Sequence, residues 1–386
     1  MITNGILFGP ELEFFVVDQA TMKPRNIHDV LASHPGFGTT IKPELAAEQI
    51  EITISPSGSL QDLEERLYTV MRDVLPLVEQ TGAMLLPVPL LDTETFTITP
   101  SPRYELLLDT LGEDFRKHAV AVASDQINIG AENEVQAFRI FDAIRFFLPE
   151  FMGYAVASPF SEGKPNGTAS NRMNFYDRAI TRFSHLTGIP PELNSLEEYA
   201  VELEQLPIFQ HPNMFYKYAR PMPHRGVAVE IRCMDKQPTI RDYLAFVALA
   251  KAIVYAAEAL KEQGQYAYPP HTSDDIEIFP FRLLVGENRS GENGRQHLDR
   301  AFEKGRKEGI LHKGRNRGIR CQQNGGILSY LSRFLPDEER KYLEPLHERL
   351  QQGTLADRMV RRYHRVGLEG TYREIADALR EDVKRG

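Results

Sequence analysis

Residues 5–18 read GILFGPELEFFVVD, with Glu11 and Glu13 one residue apart inside an otherwise apolar run. The run alternates with period two and reads as a strand. Side chains alternate across a strand, so Leu12 and Phe14 share one face while Glu11, Glu13 and Phe15 share the other. Gly9 keeps the backbone slim, and Pro10 marks a strand start or edge.

Three further segments divide in the same way. In EQIEITI, residues 48–54, Ile50, Ile52 and Ile54 oppose Gln49, Glu51 and Thr53. In SDQINIG, residues 124–130, Ile127 and Ile129 oppose Gln126 and Asn128. In VAVEIRCM, residues 227–234, Val229, Ile231 and Cys233 oppose Glu230 and Arg232. Taken singly, each strand reads as half-exposed, polar side to water. Together they fit that reading less well, because Glu is depleted in strands. Same-face neighbours stand roughly 7 Å apart, and carboxylates that close repel unless a cation intervenes. Carboxylates with amide oxygens beside them form a hard-oxygen set suited to Mg²⁺ or Mn²⁺ rather than zinc. None of the 11 histidines falls in a zinc-site spacing. Arg232 beside such a cluster suits phosphoryl transfer; a plain cross-strand salt bridge to Glu is the alternative. No G-x-x-x-x-G-K-[ST] or G-x-G-x-x-G loop occurs, so a nucleotide would bind on the sheet through a metal.

Several segments carry helical periodicity. Residues 59–82 place Leu60, Leu63, Leu67, Val70, Met71 and Leu75 on one stripe, with Ser59 as N-cap and Gly82 as stop. Residues 134–148 and 240–260 also predict helices, the second largely buried, and 337–352 and 372–385 extend the helical C-terminal part. The fold class expected is α+β: a largely antiparallel sheet with one polar, metal- and ATP-binding face and helices packed outside. Residues 1–265 form the expected sheet core and 266–386 a mainly helical part of the same domain, joined by a linker-like stretch from Gly264. The net charge of −9 argues against nucleic acid. Two cysteines, Cys233 and Cys321, do not make a disulfide framework. No signal peptide is evident, and Lys251 and Glu258 interrupt the most apolar helix, so a cytoplasmic protein without a membrane span is expected.

Four pieces of the chain together resemble a known family. GPELEFFVVD (9–18) is similar to a G-x-E-x-E opening strand, and KPELAAEQIEITISP (42–56) to a second acidic segment with Glu44 and Glu51. ASPFSEGKPNGTASNRMNFY (157–176) is similar to an A-S-P-F…G…S-x-R segment ending at Arg172. VEIRCMDKQPTIRD (229–242) is similar to E-x-R-x-x-D-x-Q-P-T. In this order they resemble the glutamate–cysteine ligase type 2 family of carboxylate–amine ligases, whose catalytic fold is glutamine-synthetase-like. The resemblance implies that ATP phosphorylates a substrate carboxylate and that an amine displaces phosphate to form an amide or γ-glutamyl bond. It implies Glu11, Glu13, Glu51 and Glu230 as metal ligands, with Gln126 where the family commonly has a metal-reaching histidine. It implies Arg232 facing the transferred phosphoryl group, Asn128 at the cofactor, Arg172 holding a substrate carboxylate or phosphate, and Glu44 as a further acidic substrate contact. Expected cofactors are ATP and Mg²⁺ or Mn²⁺. Expected partners are a small amino acid and an amine, with neither nucleic acid nor membrane; a homo-oligomer stays open.

The chain departs from the family at Gln126 and in having no tryptophan, so an Asn-Arg-Trp element survives at most as Asn288 and Arg289. Two rival readings follow: another Mg²⁺-dependent phosphotransfer enzyme on the same sheet, or a non-catalytic homologue that binds amino acids or nucleotide. Residues 158–172 read as a surface loop or a substrate-closing lid. The basic run 304–320 reads as a solvated face, or as charge for ATP phosphates through Arg315, Arg317 and Arg320. Cys233, on the apolar face, is expected in the core.

Overall fold

The structure, a computed structural model, describes residues 5–180, 187–204, 215–223, 227–262 and 326–386. Its centre is strand β1 (Phe8–Asp18). Around it lie β2 (Ile41–Pro43), β3 (Gln49–Thr53), β4 (Ala83–Leu86) and β5 (Ser124–Gly130), then a small hairpin of β6 (Phe160–Ser161) and β7 (Lys164–Pro165), then β8 (Ala219–Pro221) and β9 (Ala228–Asp235). The main sheet has seven strands in the order β2-β3-β1-β5-β9-β8, with β4 also on β1, and every pair is antiparallel. On one edge β1 pairs with β3; along the other, its first half pairs with β5 and its second half with β4.

The apolar face is built from the residues that alternation assigns to it. Leu12, Phe14, Ile50, Ile52, Ile127, Ile129, Val229, Ile231 and Cys233 are all buried in one core. The helices of the first part are α1 (His28–Leu31), α2 (Leu60–Glu79), α3 (Pro102–Leu111), α4 (Glu113–Ala119), α5 (Glu134–Ala155), α6 (Asn171–Ala179), α7 (Leu196–Glu204) and α8 (Ile240–Glu262). α2, α5 and α8 bring Leu63, Leu67, Ile140, Phe141, Leu244 and Val247 to that core. α2 starts as its sequence indicates, with the Ser59 side chain accepting from Asp62 N–H. It ends at Glu79, and Gly82 (φ 73°) makes the turn into β4.

The C-terminal described residues form α9 (Gly326–Ser332), a 3₁₀ segment (Asp337–Leu343), α10 (Glu344–Gln352) and α11 (Leu355–Arg385). Thr354 and Asp357 close a capping box at the start of α11, and Gly367 (φ 73°) breaks its helical geometry. Phe15, on the glutamate face of β1, is covered by a second core with Val17, Met84, Leu86, Leu355, Met359 and Tyr372. The polar face is therefore half-buried at Glu13, with Glu11 buried beside it, and sealed by this second core one pleat further on.

Both charges that interrupt α8 are paired. Glu258 accepts from Arg139 at 2.8 and 3.0 Å. Lys251 donates to Gly58 O at 2.6 Å and to Glu339, whose other oxygen accepts from the first N–H of α2 at 3.0 Å. Glu339 thus ties the 3₁₀ segment to α8 and α2. Among the described residues no helix is long and apolar enough to cross a membrane. The linker-like stretch from Gly264, the basic run 304–320, Asn288, Arg289 and Cys321 lie outside the described residues.

Removing one partner of a buried ion pair strands the other charge. Glu339→Ala is expected to lower unfolding stability by roughly 3–5 kcal/mol, read as the shift of a urea unfolding curve.

Candidate functional site

The register of the sheet decides which polar side chains meet. Glu13 on β1 stands directly opposite Glu51 on β3, and Glu51 opposite Lys42 on β2. Glu11 stands between Thr53 and Gln126. Asn128 stands between Gly9 and Glu230, and Glu230 opposite Arg220 on β8. One face thus runs from carboxylates at the β2 side to arginines at the β8 side.

At the acidic end, Glu13, Glu44 and Glu51 each offer a carboxylate oxygen, and these oxygens lie within 4.8 Å of one another. Glu44 joins from the turn after β2. Burial pushes its carboxyl well above the usual carboxylate range, and Glu51, Glu13 and Glu11 push it further. Burial also raises Glu13, against the pull of Arg172, Ser124 and Arg232. Glu13 is firmly held: Oε2 accepts from Ser124 N–H at 2.6 Å and its hydroxyl at 3.0 Å, and Oε1 accepts from Gln126 at 2.7 Å. Lys42 is the cation on the triad, its Nζ 2.9 Å from Glu51 Oε1.

Gln126 links the two ends. Its Nε2 donates to Glu13, and its Oε1 accepts from Arg232 Nη1 at 3.1 Å. The amide orientation follows from its partners, because a carboxylate only accepts and a guanidinium only donates. Arg232 also donates to Glu230 at 2.9 Å, and Arg220 Nε donates to the same Glu230 oxygen. Burial opposes the Glu230 charge, but Arg232 and Arg220 outweigh it and bring its pKa to about 2. Burial likewise opposes the Arg232 charge, and Glu230 outweighs it, raising that pKa well above the ordinary value.

Behind Arg232 lies Arg172, only 2% exposed. Its guanidinium donates to Arg232 O at 3.2 Å and stands 3.9 Å from Asp235 Oδ1. Asp235 accepts from Ala157 N–H and from the Ser158 and Ser170 hydroxyls at 2.7–2.9 Å. The loop 158–172 is therefore pinned at both ends to β9 through one buried carboxylate.

These positions redistribute the residues singled out in the sequence. Glu13, Glu51 and Glu44 come together, and Glu11, 6% exposed, is their neighbour on the same face. Gln126 spans from Glu13 to Arg232. Glu230 stands apart from the acidic cluster, between two arginines. Asn128 Oδ1 is buried with no hydrogen-bond partner. Cys233 is buried in the core, and burial pushes its thiol up to about 12.

Sequence reading passed over Lys42, Ser124 and Arg220, and matched Asp235 within E-x-R-x-x-D-x-Q-P-T without giving it a role. β2 and β8 are three residues each, too short for an alternation signal. Asp235 has a signal: it stands five residues from Glu230, so simple alternation puts it on the opposite face. A register shift between Asp125 and Ile127 changes the parity of β9. Asp235 then pairs with Ser124, on the face of the site.

The donor set fits a divalent cation. Three carboxylates at mutual ligand distance are hard-oxygen donors, and burial and crowding by like charges, which raise the Glu44 carboxyl, are both relieved by a cation among them.

Comparisons with known proteins bear on the family and the fold. Residues 7–273 match the family model described as glutamate-cysteine ligase family 2 (GCS2). A relative from Ruegeria pomeroyi, provisionally named glutamate–cysteine ligase 2, is 25% identical over 290 residues, 73% of this chain and 71% of its own. Among solved structures, glutamate–cysteine ligase from Francisella tularensis in complex with AMP superposes with a TM-score of 0.62 at 14% identity, covering 99% of this chain and 89% of that one. A bifunctional glutathione synthetase from Pasteurella multocida gives 0.66 at 14% identity over 98% of this chain. This chain spans 53% of that longer protein. At these identities the structures establish a shared fold.

The raised Glu44 carboxyl sets a pH dependence for the metal-free protein. A carboxyl with a higher pKa folded than unfolded favours the fold at pH below the ordinary carboxylate value. That contribution is lost as pH rises through the raised value, and Glu13 has the same sign. Metal-free protein is expected to melt at progressively lower temperature as pH rises above the ordinary carboxylate value, with Glu44→Gln flattening the trend. A series of calorimetric scans across that pH range checks this.

Proposed function

The chain belongs to glutamate–cysteine ligase family 2, and we therefore propose that it is an ATP-dependent carboxylate–amine ligase. In this reading a substrate carboxylate, such as the side chain of glutamate, is phosphorylated to an acyl phosphate. An amine then attacks the acyl carbon, forming the amide and releasing phosphate.

The single observation that carries the proposal is the polarity of one sheet face. Glu13, Glu44 and Glu51 stand at one end and Arg232 at the other, joined by Gln126. Phosphoryl transfer needs divalent charge on the phosphates and a fixed positive group for the developing charge. Glu13, Glu44 and Glu51 would hold Mg²⁺ or Mn²⁺, with Glu11 beside them. Such a cation neutralises phosphate oxygens. Arg232 is held toward the face by Glu230 and Gln126, and its guanidinium takes up charge on the transferring group. In this assignment Glu230 positions arginines rather than binding metal. Arg172, packed behind Arg232, adds positive field and keeps Arg232 in place, while Asn128 Oδ1 is left to accept from the nucleotide. Glutamate–cysteine ligation is the specific bond this family reading favours.

Purified protein with ATP, Mg²⁺, glutamate and a panel of amines is expected to release ADP only with an accepted amine, and mass spectrometry should find the matching amide. ADP release independent of any amine, with no amide formed, would remove the ligase reading in favour of simple phosphotransfer. Glu11→Gln should abolish turnover. Arg232→Ala should lower kcat by about a thousandfold or more, with the fold intact by circular dichroism. Near-normal turnover in either variant contradicts that residue's role.

A further inference from the structure

β2 is a three-residue strand whose middle residue, Lys42, is paired in register with Glu51. Its Nζ lies 2.9 Å from Glu51 Oε1. Glu51 belongs to the triad, so this ammonium is bonded to one of the carboxylates that would hold a divalent cation. The two ends of the triad are held differently. Glu13 is fixed by three hydrogen bonds from Ser124 and Gln126. Lys42 is a long, flexible side chain, 35% exposed, while the Glu51 side chain is 11% exposed.

Two cations held by one carboxylate repel each other. A divalent cation bound by Glu13, Glu44 and Glu51 would therefore compete with Lys42 for Glu51. Lysine is suited to yielding: it is a point charge on a rotatable stem, without the planar fork that locks an arginine to a carboxylate. Once displaced, its ammonium remains within a side chain's length of the site and needs a new anion. Among the described residues no other carboxylate is recorded in a salt bridge with it.

We propose that Lys42 is the resident counter-ion of the acidic triad, displaced from Glu51 when the divalent cation binds and then transferred to a phosphate oxygen of the nucleotide. The role rests on the ligase reading for its second half only; competition for Glu51 needs nothing but the triad. Lys42 thereby keeps the carboxylates together in the metal-free protein and couples metal entry to nucleotide binding.

The test is Mn²⁺ titration of the full chain followed by electron paramagnetic resonance, without substrates, alongside KM for ATP. Lys42→Met removes the competing charge and should bind Mn²⁺ roughly two- to fivefold more tightly, the scale of a part-exposed ion pair. Lys42→Gln, which can still donate to Glu51 without the charge, carries the same expectation and serves if the Met variant does not fold. Lys42→Arg retains the charge and should bind Mn²⁺ no more tightly than the unaltered chain. KM for ATP should rise about tenfold in the Met or Gln variant, as for loss of a charged hydrogen bond. Tighter metal with weaker nucleotide is a pair of opposite shifts that a merely structural lysine would not produce. Unchanged or weaker Mn²⁺ binding in the uncharged variants overturns the proposal, as does tighter binding in the Arg variant or an unchanged KM for ATP. If neither the unaltered nor the uncharged protein binds Mn²⁺, the proposal falls with the metal site. The amine panel decides the ligase reading separately.

Discussion

Three carboxylates within 4.8 Å of one another are the constraint on which the site depends. Burial and like charges at that distance together disfavour ionisation, as the raised Glu44 carboxyl shows, while burial alone raises Glu13. The fold keeps them together by fixing their backbones first. Glu13 and Glu51 face each other because β1 and β3 are locked in register by the apolar pairs Leu12–Ile52 and Phe14–Ile50 on the reverse face. Slipping by one residue would bury the glutamates in the core and expose the isoleucines. The register that saves the core is the register that crowds the charges.

The arginine end answers the same problem with opposite sign. Arg220 and Arg232 share Glu230, which leaves a net positive charge over a nearly buried carboxylate. Pairing fixes the guanidinium directions, and Gln126 ties Arg232 to Glu13 across the sheet. A neutral amide suits this link because it donates at one end and accepts at the other. A carboxylate there would repel Glu13, and a second cation would repel Arg232. Gln126 is thus explained by its two neighbours in this chain, whatever side chain relatives carry at that place.

Much of this was legible in the sequence because β-alternation is a strict code. The four long strand segments, their apolar faces and the company of Glu11, Glu13, Glu51, Gln126, Glu230 and Arg232 on the opposite face all follow from period two. Helix limits were legible where a cap is local, as at Ser59. Two kinds of information were not. Lys42 and Arg220 stand on strands too short to show a period, and only tertiary register brings them to the site. Asp235 was hidden by a parity change, since a register shift is a property of two strands and one strand's sequence does not display it. The division of Glu230 from the other acids was also beyond alternation, which assigns a face but not a distance along it.

That parity change has a structural consequence. Without it, Asp235 would point into the core and Lys236 toward the site. With it, Lys236 stays on the apolar side, paired with Asp125 at 2.7 Å and stacked 4.1 Å from the Phe14 ring. Asp235 instead gathers Ala157, Ser158 and Ser170, and through them sets the loop that carries Arg172. Two consecutive charged residues are thereby sent to opposite faces, each met by its own partners. The loop 158–172, so rich in Gly, Ser and Pro that it resembles a free surface segment, is anchored at its ends by the carboxylate the strand delivers and at its middle by Asp92, which accepts from Ser161 and Glu162. Its serines are the hydrogen-bond donors a buried aspartate requires. The order of the arginine end therefore descends from one irregularity in one strand pair, just as the crowding of the acidic end descends from the regularity of another.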